Sequence, residues 1–368
     1  MRETLKSAII SSVFFALAPL LSSSNFACDE NQNTIYKTKE GTCEPKAQAK
    51  AAINNKNDGP VFRFKNNIYY TKNLKNCIDL DGETHVFSQL YKSNLNDTER
   101  KLLIEGEIAT SIISQTKIAI SALPQVLDYK TCETGKPTNM QILDLNSDQI
   151  EDTNIPGFQA NIANGQVIFI PPSEKYPLFD VFAYDVTNKS TKLIGFNSPA
   201  LASSFRPFSP NAFVTESFDG FGIDLVRTKD QLRKSFKSNI EIGQIELGNN
   251  FAAVGHLENI KEGYMLDIYS TEDLTLVKTF WNLAGITQAY AFTTEDKLVY
   301  LKQNGEDDLI LAGYDFKANK QLNFDFYDYF DCNNASITIS IYPNDDKEIV
   351  LFVEQTPPSN NYSVLISP

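Results

Sequence analysis

Polar turns alternate with short apolar or aromatic runs along most of the chain. A typical unit is Asn164-Gly165-Gln166 followed by Val167-Ile168-Phe169. A turn rich in Asn, Asp or Gly before an apolar run is typical of a β-hairpin, because these residues adopt the backbone angles of tight turns. Seven such units occur, and their apolar runs begin at Ile68, Ile118, Val167, Ala212, Phe251, Leu298 and Ile349.

A second unit repeats in phase with the first. It is a strand that carries an aromatic or aliphatic anchor near its end and is followed by a polar turn and a shorter apolar strand. Gly220–Phe236 and Gly263–Phe280 match each other nearly position for position, with Asp224 corresponding to Asp267. The seven anchors lie 41 to 52 residues apart and are Tyr91, Leu143, Tyr184, Val226, Tyr269, Tyr314 and Tyr362.

Four short strands every 40 to 50 residues are what one blade of a β-propeller requires, and a single blade cannot bury both of its faces. The sequence therefore predicts an all-β fold, a seven-bladed β-propeller made of four-stranded antiparallel blades. A two-sheet sandwich is the structural alternative, but seven copies in phase argue against it. Only Ala47–Ile53 has a credible helical period.

The last blade requires a strand from elsewhere in the chain. Only six residues follow Tyr362, enough to finish a third strand but too few for a fourth. An open sheet edge exposes unpaired backbone groups. We therefore predict that the N-terminal segment, near Thr34–Lys37, supplies the outer strand that closes the ring.

Several short motifs resemble known propeller families. Phe208-Ser209-Pro210-Asn211-Ala212-Phe213, the stretch from Phe292 to Val299, and the Tyr-Asp pairs at 184–185 and 314–315 are similar to TolB-like and WD40-like repeats. The resemblance covers residues 59 to 368. The Gly-His and Trp-Asp pairs of true WD40 repeats are missing, so it implies a fold and no activity.

The N-terminus has the features of an export signal. Arg2 and Lys6 precede the apolar run Ile9–Leu21, which is shorter than a membrane span, and small residues follow it. We expect a signal peptide over 1–27, an N-terminal segment with the closing strand over 28–58, and the propeller over 59–368. Cleavage after Ala27 would leave Cys28 first and open to lipidation, although Asn25 departs from that motif; cleavage after Ser24 is the alternative.

The charge of the chain narrows the range of partners. The formal net charge of −13 repels phosphate backbones, which argues against nucleic acid. No later segment is long and apolar enough to span a membrane. We expect a monomer that is secreted or periplasmic, or anchored to the envelope if Cys28 carries lipid.

In an exported chain, cysteines are first interpreted as disulfide partners. Cys77 and Cys132 follow the second strands of the first two blades, so a propeller would bring them to the same face, and we predict that they form a disulfide. Cys332 lies near the expected path of the N-terminal segment, and its partner would be Cys43 or Cys28.

Four connections expected on the same face as Cys77 and Cys132 are long. Long connections cost little additional entropy and commonly carry function. We predict a binding surface, called the loop face below, which is formed by the connections Leu74–Glu83, Leu123–Thr138, Pro171–Leu178 and Glu354–Asn361.

One acidic turn has the spacing of a calcium loop. Asp144, Asn146, Asp148 and Asp152 stand at positions 1, 3, 5 and 9 of the turn, and oxygen ligands at alternate positions can converge on a hard cation. Gln149 replaces the usual glycine at position 6, so a solvated acidic turn without any cofactor is the alternative interpretation.

Two hypotheses about function follow. The first is a non-catalytic propeller that binds a protein or glycan partner through the loop face, because no catalytic motif is recognisable. His85 and His256 lie in apolar strands, and we interpret both as core residues. The second hypothesis is an extracytoplasmic hydrolase or lactonase that uses acidic residues and Ca²⁺.

Overall fold

A computed structural model of the chain describes residues 34–35, 42–46, 53–54, 62–78, 84–114, 117–123, 126–128, 133–134, 139–156, 160–163, 166–169, 179–198, 209, 211–217, 222–237, 241–257, 263–285, 289–293, 295–303, 309–333, 337–343, 348–355 and 360–368. In these ranges the structure is almost entirely β-strand, and the strands pair antiparallel. The predicted all-β class is confirmed.

The N-terminal part contributes three short strands. They are β1 (Thr34–Ile35), β2 (Thr42–Pro45) and β3 (Ile53–Asn54). Each pairs with a strand near the C-terminus, as described below.

The next part of the chain forms a sheet of seven strands in the order β12-β11-β8-β7-β6-β5-β4. Two further strands, β9 and β10, pair with each other in the connection between β8 and β11. The bounds are β4 (Phe62–Phe64), β5 (Asn67–Ile78), β6 (Thr84–Asn94), β7 (Lys101–Ser114), β8 (Lys117–Leu123), β9 (Val126–Asp128), β10 (Glu133–Thr134), β11 (Asn139–Asp144) and β12 (Gln149–Pro156).

β7 belongs to two consecutive meanders. Residues 101–107 pair with β6, and residues 107–114 pair with β8. Lys101, at the start of β7, lies 3.5 Å from Asp148, which is in the turn after β11. β11 pairs with β8, and β8 begins opposite the end of β7. A straight strand of 14 residues would separate its two ends by about 40 Å. β7 therefore turns back on itself near Glu107.

Two separate sheets follow. The first has the order β13-β14-β15-β16 and the second the order β17-β18-β19. The bounds are β13 (Ala160–Ala163), β14 (Gln166–Phe169), β15 (Phe179–Asp185), β16 (Ser190–Ser198), β17 (Ala212–Glu216), β18 (Gly222–Arg227) and β19 (Arg233–Lys237).

Two further meanders are joined into one sheet by a single residue pair, Leu283 with Lys302. The first meander is β20-β21-β22-β23, and the second is β24-β25-β26-β27. The bounds are β20 (Glu241–Leu247), β21 (Phe251–Leu257), β22 (Tyr264–Ser270), β23 (Leu276–Leu283), β24 (Tyr290–Phe292), β25 (Lys297–Gln303), β26 (Leu309–Asp315) and β27 (Lys320–Asn323).

The C-terminal part begins with one helical turn, α1 (Phe326–Tyr329), which Asp325 caps by accepting a hydrogen bond from the Tyr327 amide. β28 (Phe330–Asn333) pairs with β2. β29 (Ile337–Pro343), β30 (Ile349–Gln355) and β31 (Asn360–Ile366) form a sheet with two N-terminal strands, in the order β1-β29-β30-β31-β3.

The position predicted for the closing strand was wrong in detail. Thr34–Ile35 pairs with β29, and the strand beside β31 is Ile53–Asn54 instead. The end strands of this last meander leave two open edges with unpaired backbone groups, and the N-terminal segment covers both. Ile53 was also predicted to be helical, and it lies in a strand; residues 47–52 lie outside the described residues.

The repeat inferred from the sequence corresponds to one antiparallel pair of strands. The seven predicted turns each precede one of the strands β5, β8, β14, β17, β21, β25 and β30, and the seven anchors lie on the strands that pair with them, β6, β11, β15, β18, β22, β26 and β31. Both repeating units predicted from the sequence are confirmed as strand patterns.

The core is divided into clusters that fill the spaces between consecutive meanders. Val214 and Leu225 of one meander pack against Ile245 and Val254 of the next. The cluster around β29–β31 also takes in Cys43 of the N-terminal segment. Each interface removes apolar surface that a single meander would leave in water.

Candidate functional site

The predicted loop face lies where β5 and β8 end. Glu107 pairs with Phe87 on one side and with Leu123 on the other, which puts the β5–β6 and β8–β11 connections at the same end of the sheet. The structure therefore brings together the first two connections of the predicted surface. Residues 170–178 and 356–359, in the other two connections, lie outside the described residues.

Both of these connections contain more strand than the sequence predicts. β5 continues to Ile78, so Cys77 lies in a strand, opposite His85, rather than in a loop. In the second connection Asp128 pairs with Glu133, and Val126 with Thr134. Each connection thus projects as a β-hairpin with a backbone-paired base.

Cys132 lies outside the described residues, next to Glu133, the first residue of β10. The disulfide between Cys77 and Cys132 therefore stays a prediction. The register places Cys77 on the β5–β6 hairpin at the same end of the sheet as the β9–β10 hairpin.

The acidic turn connects β11 and β12, with Asp148 at a positive φ of 56°. The Asp144 side chain accepts hydrogen bonds from the amides of Asn146 (2.9 Å) and Ser147 (3.1 Å). Asp152 accepts a bond from the Asn154 amide at 2.7 Å. Two of the four predicted ligands thus accept hydrogen bonds from nearby backbone amides, Asp144 in the turn and Asp152 in β12.

Lysines from distant parts of the chain contact other oxygens of this turn. Lys92 Nζ lies 2.8 Å and 2.9 Å from the two carboxylate oxygens of Asp148, and Lys101 lies at 3.5 Å. Lys65 Nζ donates to the side-chain oxygen of Asn146 at 2.8 Å. The sequence near the turn does not predict contacts with these lysines, because the lysines precede the turn by 47 to 81 residues.

The electrostatics of Asp148 follow from these contacts. Burial raises the pKa of the Asp148 carboxyl, but its hydrogen bond to Lys92 and the charges of Lys92 and Lys101 outweigh burial and leave the pKa lowered. A Ca²⁺ ion at this turn would have to displace Lys92. In the described ranges no three His, Cys, Asp or Glu side chains form a metal-binding group, and calcium binding here stays a prediction.

A disulfide joins the N-terminal segment to the C-terminal part. Cys43 of β2 lies opposite Cys332 of β28, and the two are bonded. Of the two partners considered for Cys332, the structure selects Cys43. The Cys43 side chain is fully buried beside Phe326 and Phe330, whereas Cys28, the predicted lipidation site, lies outside the described residues.

One histidine belongs to a polar cluster within a single meander, β20–β23. His256 Nε2 on β21 lies 3.1 Å from Asp267 Oδ2 on β22, and Thr279 on β23 donates to Asp267 Oδ1 at 2.6 Å. Burial raises the pKa of Asp267, but the bonds from His256 and Thr279 outweigh it, so the pKa is lowered. The interpretation of His256 as a core residue agrees with its burial.

The preceding meander has a related cluster at the equivalent position. Asp224 is buried, and its Oδ2 lies 3.2 Å from Arg233, which also donates to Thr215. The equivalence of Asp224 and Asp267 was visible in the sequence. Their basic partners were not, because Arg233 comes from the last strand of its meander, β19, and His256 from the second strand, β21.

Helices give no indication of a membrane span. Within the part of the chain that the structure describes, no helix has the length and hydropathy needed to cross a bilayer.

No family model matches the sequence, and no curated protein matches it. The solved structures to which the chain is similar include β-propellers, in agreement with the resemblance to TolB-like and WD40-like proteins. The β-propeller domain of the Trilobed protease from Pyrococcus furiosus has a TM-score of 0.48 and 11% identity, covering 87% of this chain and 96% of that chain. TolB from Acinetobacter baumannii has a TM-score of 0.37 and 10% identity, covering 81% and 80%.

A puromycin-hydrolysing peptidase from Mycobacterium tuberculosis has a TM-score of 0.44 and 10% identity, covering 83% of this chain and 53% of that chain. The chain therefore spans about half the length of that peptidase. At such identities the likeness concerns the fold alone, and no conclusion about activity follows from it.

Proposed function

We propose that the protein is an exported, non-catalytic β-propeller of seven blades that binds a protein or glycan partner through its loop face. The seven repeated strand pairs would be the central strands of the seven blades. Ile53–Asn54, which pairs with Tyr362 and Ser363, would be the fourth strand of the last blade and would close the ring.

Export is supported by the disulfide between Cys43 and Cys332. Disulfides persist in oxidising compartments and are rare in the cytosol. Together with the N-terminal charge and apolar run, this favours a secreted or periplasmic protein.

Binding at the loop face is supported above all by the two hairpins that share one end of the first sheet. β5 and β6 have 12 and 11 residues, while the equivalent strands β21 and β22 have seven each. The first hairpin therefore reaches several residues beyond the ordinary blade height, and the β9–β10 hairpin lies at the same end. Hairpins with paired backbones present a preformed surface, which lowers the entropic cost of binding.

The test replaces residues 124–138 with a short Gly-Ser linker that keeps β8 and β11 connected. We expect this variant to lose the glycan or protein partner that the wild type retains on a glycan array or in cross-linked envelope extract. A matched control, Lys229→Glu with Lys317→Glu, changes exposed turns at the opposite end of the blades and should bind normally.

If the linker variant keeps its native melting temperature and still binds its partner as the wild type does, the loop face is not the binding surface. If the control loses binding to the same extent, the effect is not specific to the loop face and the proposal fails.

A further inference from the structure

The last strands of four consecutive meanders carry basic side chains and no acidic ones. β16, β19, β23 and β27 contain no Asp or Glu, although the chain has 46 acidic and 33 basic residues. The fourth strand of the first meander, β7, has Glu105 and Glu107, and that of the second, β12, has Glu151 and Asp152. The basic residues of the four strands are Lys192, Arg233, Lys234, Lys237, Lys278 and Lys320.

Contacts show that the four meanders lie side by side in sequence order. Gln231, just before β19, donates to the carbonyl of Ile194 on β16 at 2.7 Å. Lys234 of β19 lies 5.4 Å from the ring centre of Tyr269, in the meander of β23. Lys278 of β23 lies 4.4 Å from the ring centre of Tyr314, in the meander of β27. We call the exposed side chains of these four strands, with Leu232, the edge-strand belt.

Several lysines of the edge-strand belt have no carboxylate to pair with. Lys192, Lys234 and Lys320 are exposed, and in the described parts of the chain none of them forms an ion pair, unlike Lys92, Lys101 and Lys189 of the first three meanders. The acidic protein thus has a surface with unneutralised positive charge, which attracts negatively charged partners.

Exposed apolar side chains lie on the same strands, and three of them are on β23. Exposed apolar residues that group together, rather than occurring singly, are typical of interaction sites. The belt contains five that are about half exposed, Leu193 (46%), Leu232 (46%), Leu276 (53%), Val277 (49%) and Trp281 (54%).

The strands of the belt also offer backbone hydrogen bonds. In the described residues β16, β19 and β27 end their sheets, and β23 pairs on its outer side only at Leu283. An open edge can accept an extended peptide as an additional strand. Lysines on such an edge repel another basic edge, so they favour an acidic strand over a second copy of the same edge.

We propose that the edge-strand belt is a docking site for an acidic, extended polypeptide segment of a partner protein, which adds a strand along β23. The lysines would attract its carboxylates, and Val277 and Trp281 would pack against its apolar residues. This site lies on the rim of the meanders and is independent of the loop face.

The test uses a short synthetic peptide that alternates Glu and Val, with a peptide that alternates Lys and Val as its charge-reversed control. Trp281 is the only tryptophan of the chain, so its fluorescence reports directly on β23. We expect the acidic peptide to bind, to shift the Trp281 emission to shorter wavelength as the indole leaves water, and to bind more weakly as salt increases.

Lys278→Glu, on β23 itself, should weaken this binding several-fold, because an attraction beside the docked strand becomes a repulsion. Lys229→Glu, an exposed lysine outside the belt, makes the same change of charge and should lower affinity less than twofold. Circular dichroism spectra of both variants should match the wild type, which would show that the fold is kept.

Three outcomes would overturn the proposal. They are equal binding of the acidic and basic peptides, binding that leaves the Trp281 emission unchanged, and attachment to phosphatidylglycerol vesicles without any binding of the acidic peptide. The last result would assign the belt to a lipid surface.

Discussion

Buried charged groups of the meanders have local partners that set their protonation. Within the meander β20–β23, the contact with His256 and the hydrogen bond from Thr279 leave the pKa of Asp267 lowered, although burial alone would raise it. Asp296 is a contrasting case. Burial raises the pKa of its carboxyl, and its bonds to the amide and side chain of Asn250 only partly oppose this. Two aspartates thus have pKa values shifted in opposite directions, according to whether their partners outweigh the effect of desolvation.

We predict that Asp267→Asn lowers the free energy of unfolding by about 2 kcal/mol at neutral pH, since bonds between buried partners and a charged group are lost. The folded pKa of Asp267 is lowered, so its contribution is present above the pKa of the unfolded chain and is lost as the pH falls through the folded pKa. Urea unfolding at a series of pH values should show the difference between wild type and variant shrinking below about pH 4.

Glu272→Gln, at an exposed position of the neighbouring turn, serves as the control and should leave stability unchanged. If Asp267→Asn lowers the free energy of unfolding by the same amount at every acidic pH, the carboxylate charge is not what stabilises this cluster.

At the scale of elements, the repeat explains why many anchors are aromatic. Lys234 and Lys278 occupy equivalent positions on β19 and β23, and each places its ammonium group over the anchor of the next meander, Tyr269 or Tyr314. An ammonium over an aromatic face is stabilised by the ring's negative potential. The contact thus joins the last strand of one meander to the third strand of the next.

A double-mutant cycle can measure this contact. Lys278→Met and Tyr314→Leu, made singly and together, should give a coupling energy of about 0.5–1 kcal/mol in urea unfolding. The cycle of Lys320→Met with Tyr314→Leu is the matched control and should give none, since Lys320 has no ring beneath it among the described contacts. Coupling of equal size in both cycles would contradict the account.

The sequence predicts these elements well where the signal is local. A turn such as Asn164-Gly165 determines a hairpin through its own backbone preferences, and for that reason every predicted turn precedes a strand. Contacts between distant segments leave no such signal. Lys92 meets Asp148 only because two meanders fold side by side. The strand predicted near Thr34–Lys37 pairs with β29 instead of β31, and the pairing of Ile53–Asn54 with β31 was not predicted.

At the scale of the whole molecule, the N-terminal segment connects the two ends of the chain. Thr34–Ile35 covers one edge of the last sheet, Ile53–Asn54 covers the other, and the disulfide from Cys43 to Cys332 fixes the chain between them. A cross-link between residues 289 positions apart strongly restricts the unfolded chain. These three attachments support the proposal that the N-terminal segment closes the ring.

The central claim is that β3 is the last strand of a closed ring, and hydrogen exchange of the β31 amides tests it most directly. In Ile53→Pro with Asn54→Pro, β3 can no longer donate backbone hydrogen bonds. We predict that β31 amides then exchange faster while those of β21 and β22 keep their wild-type rates. Unchanged protection of β31 in the variant would contradict closure by the N-terminal segment.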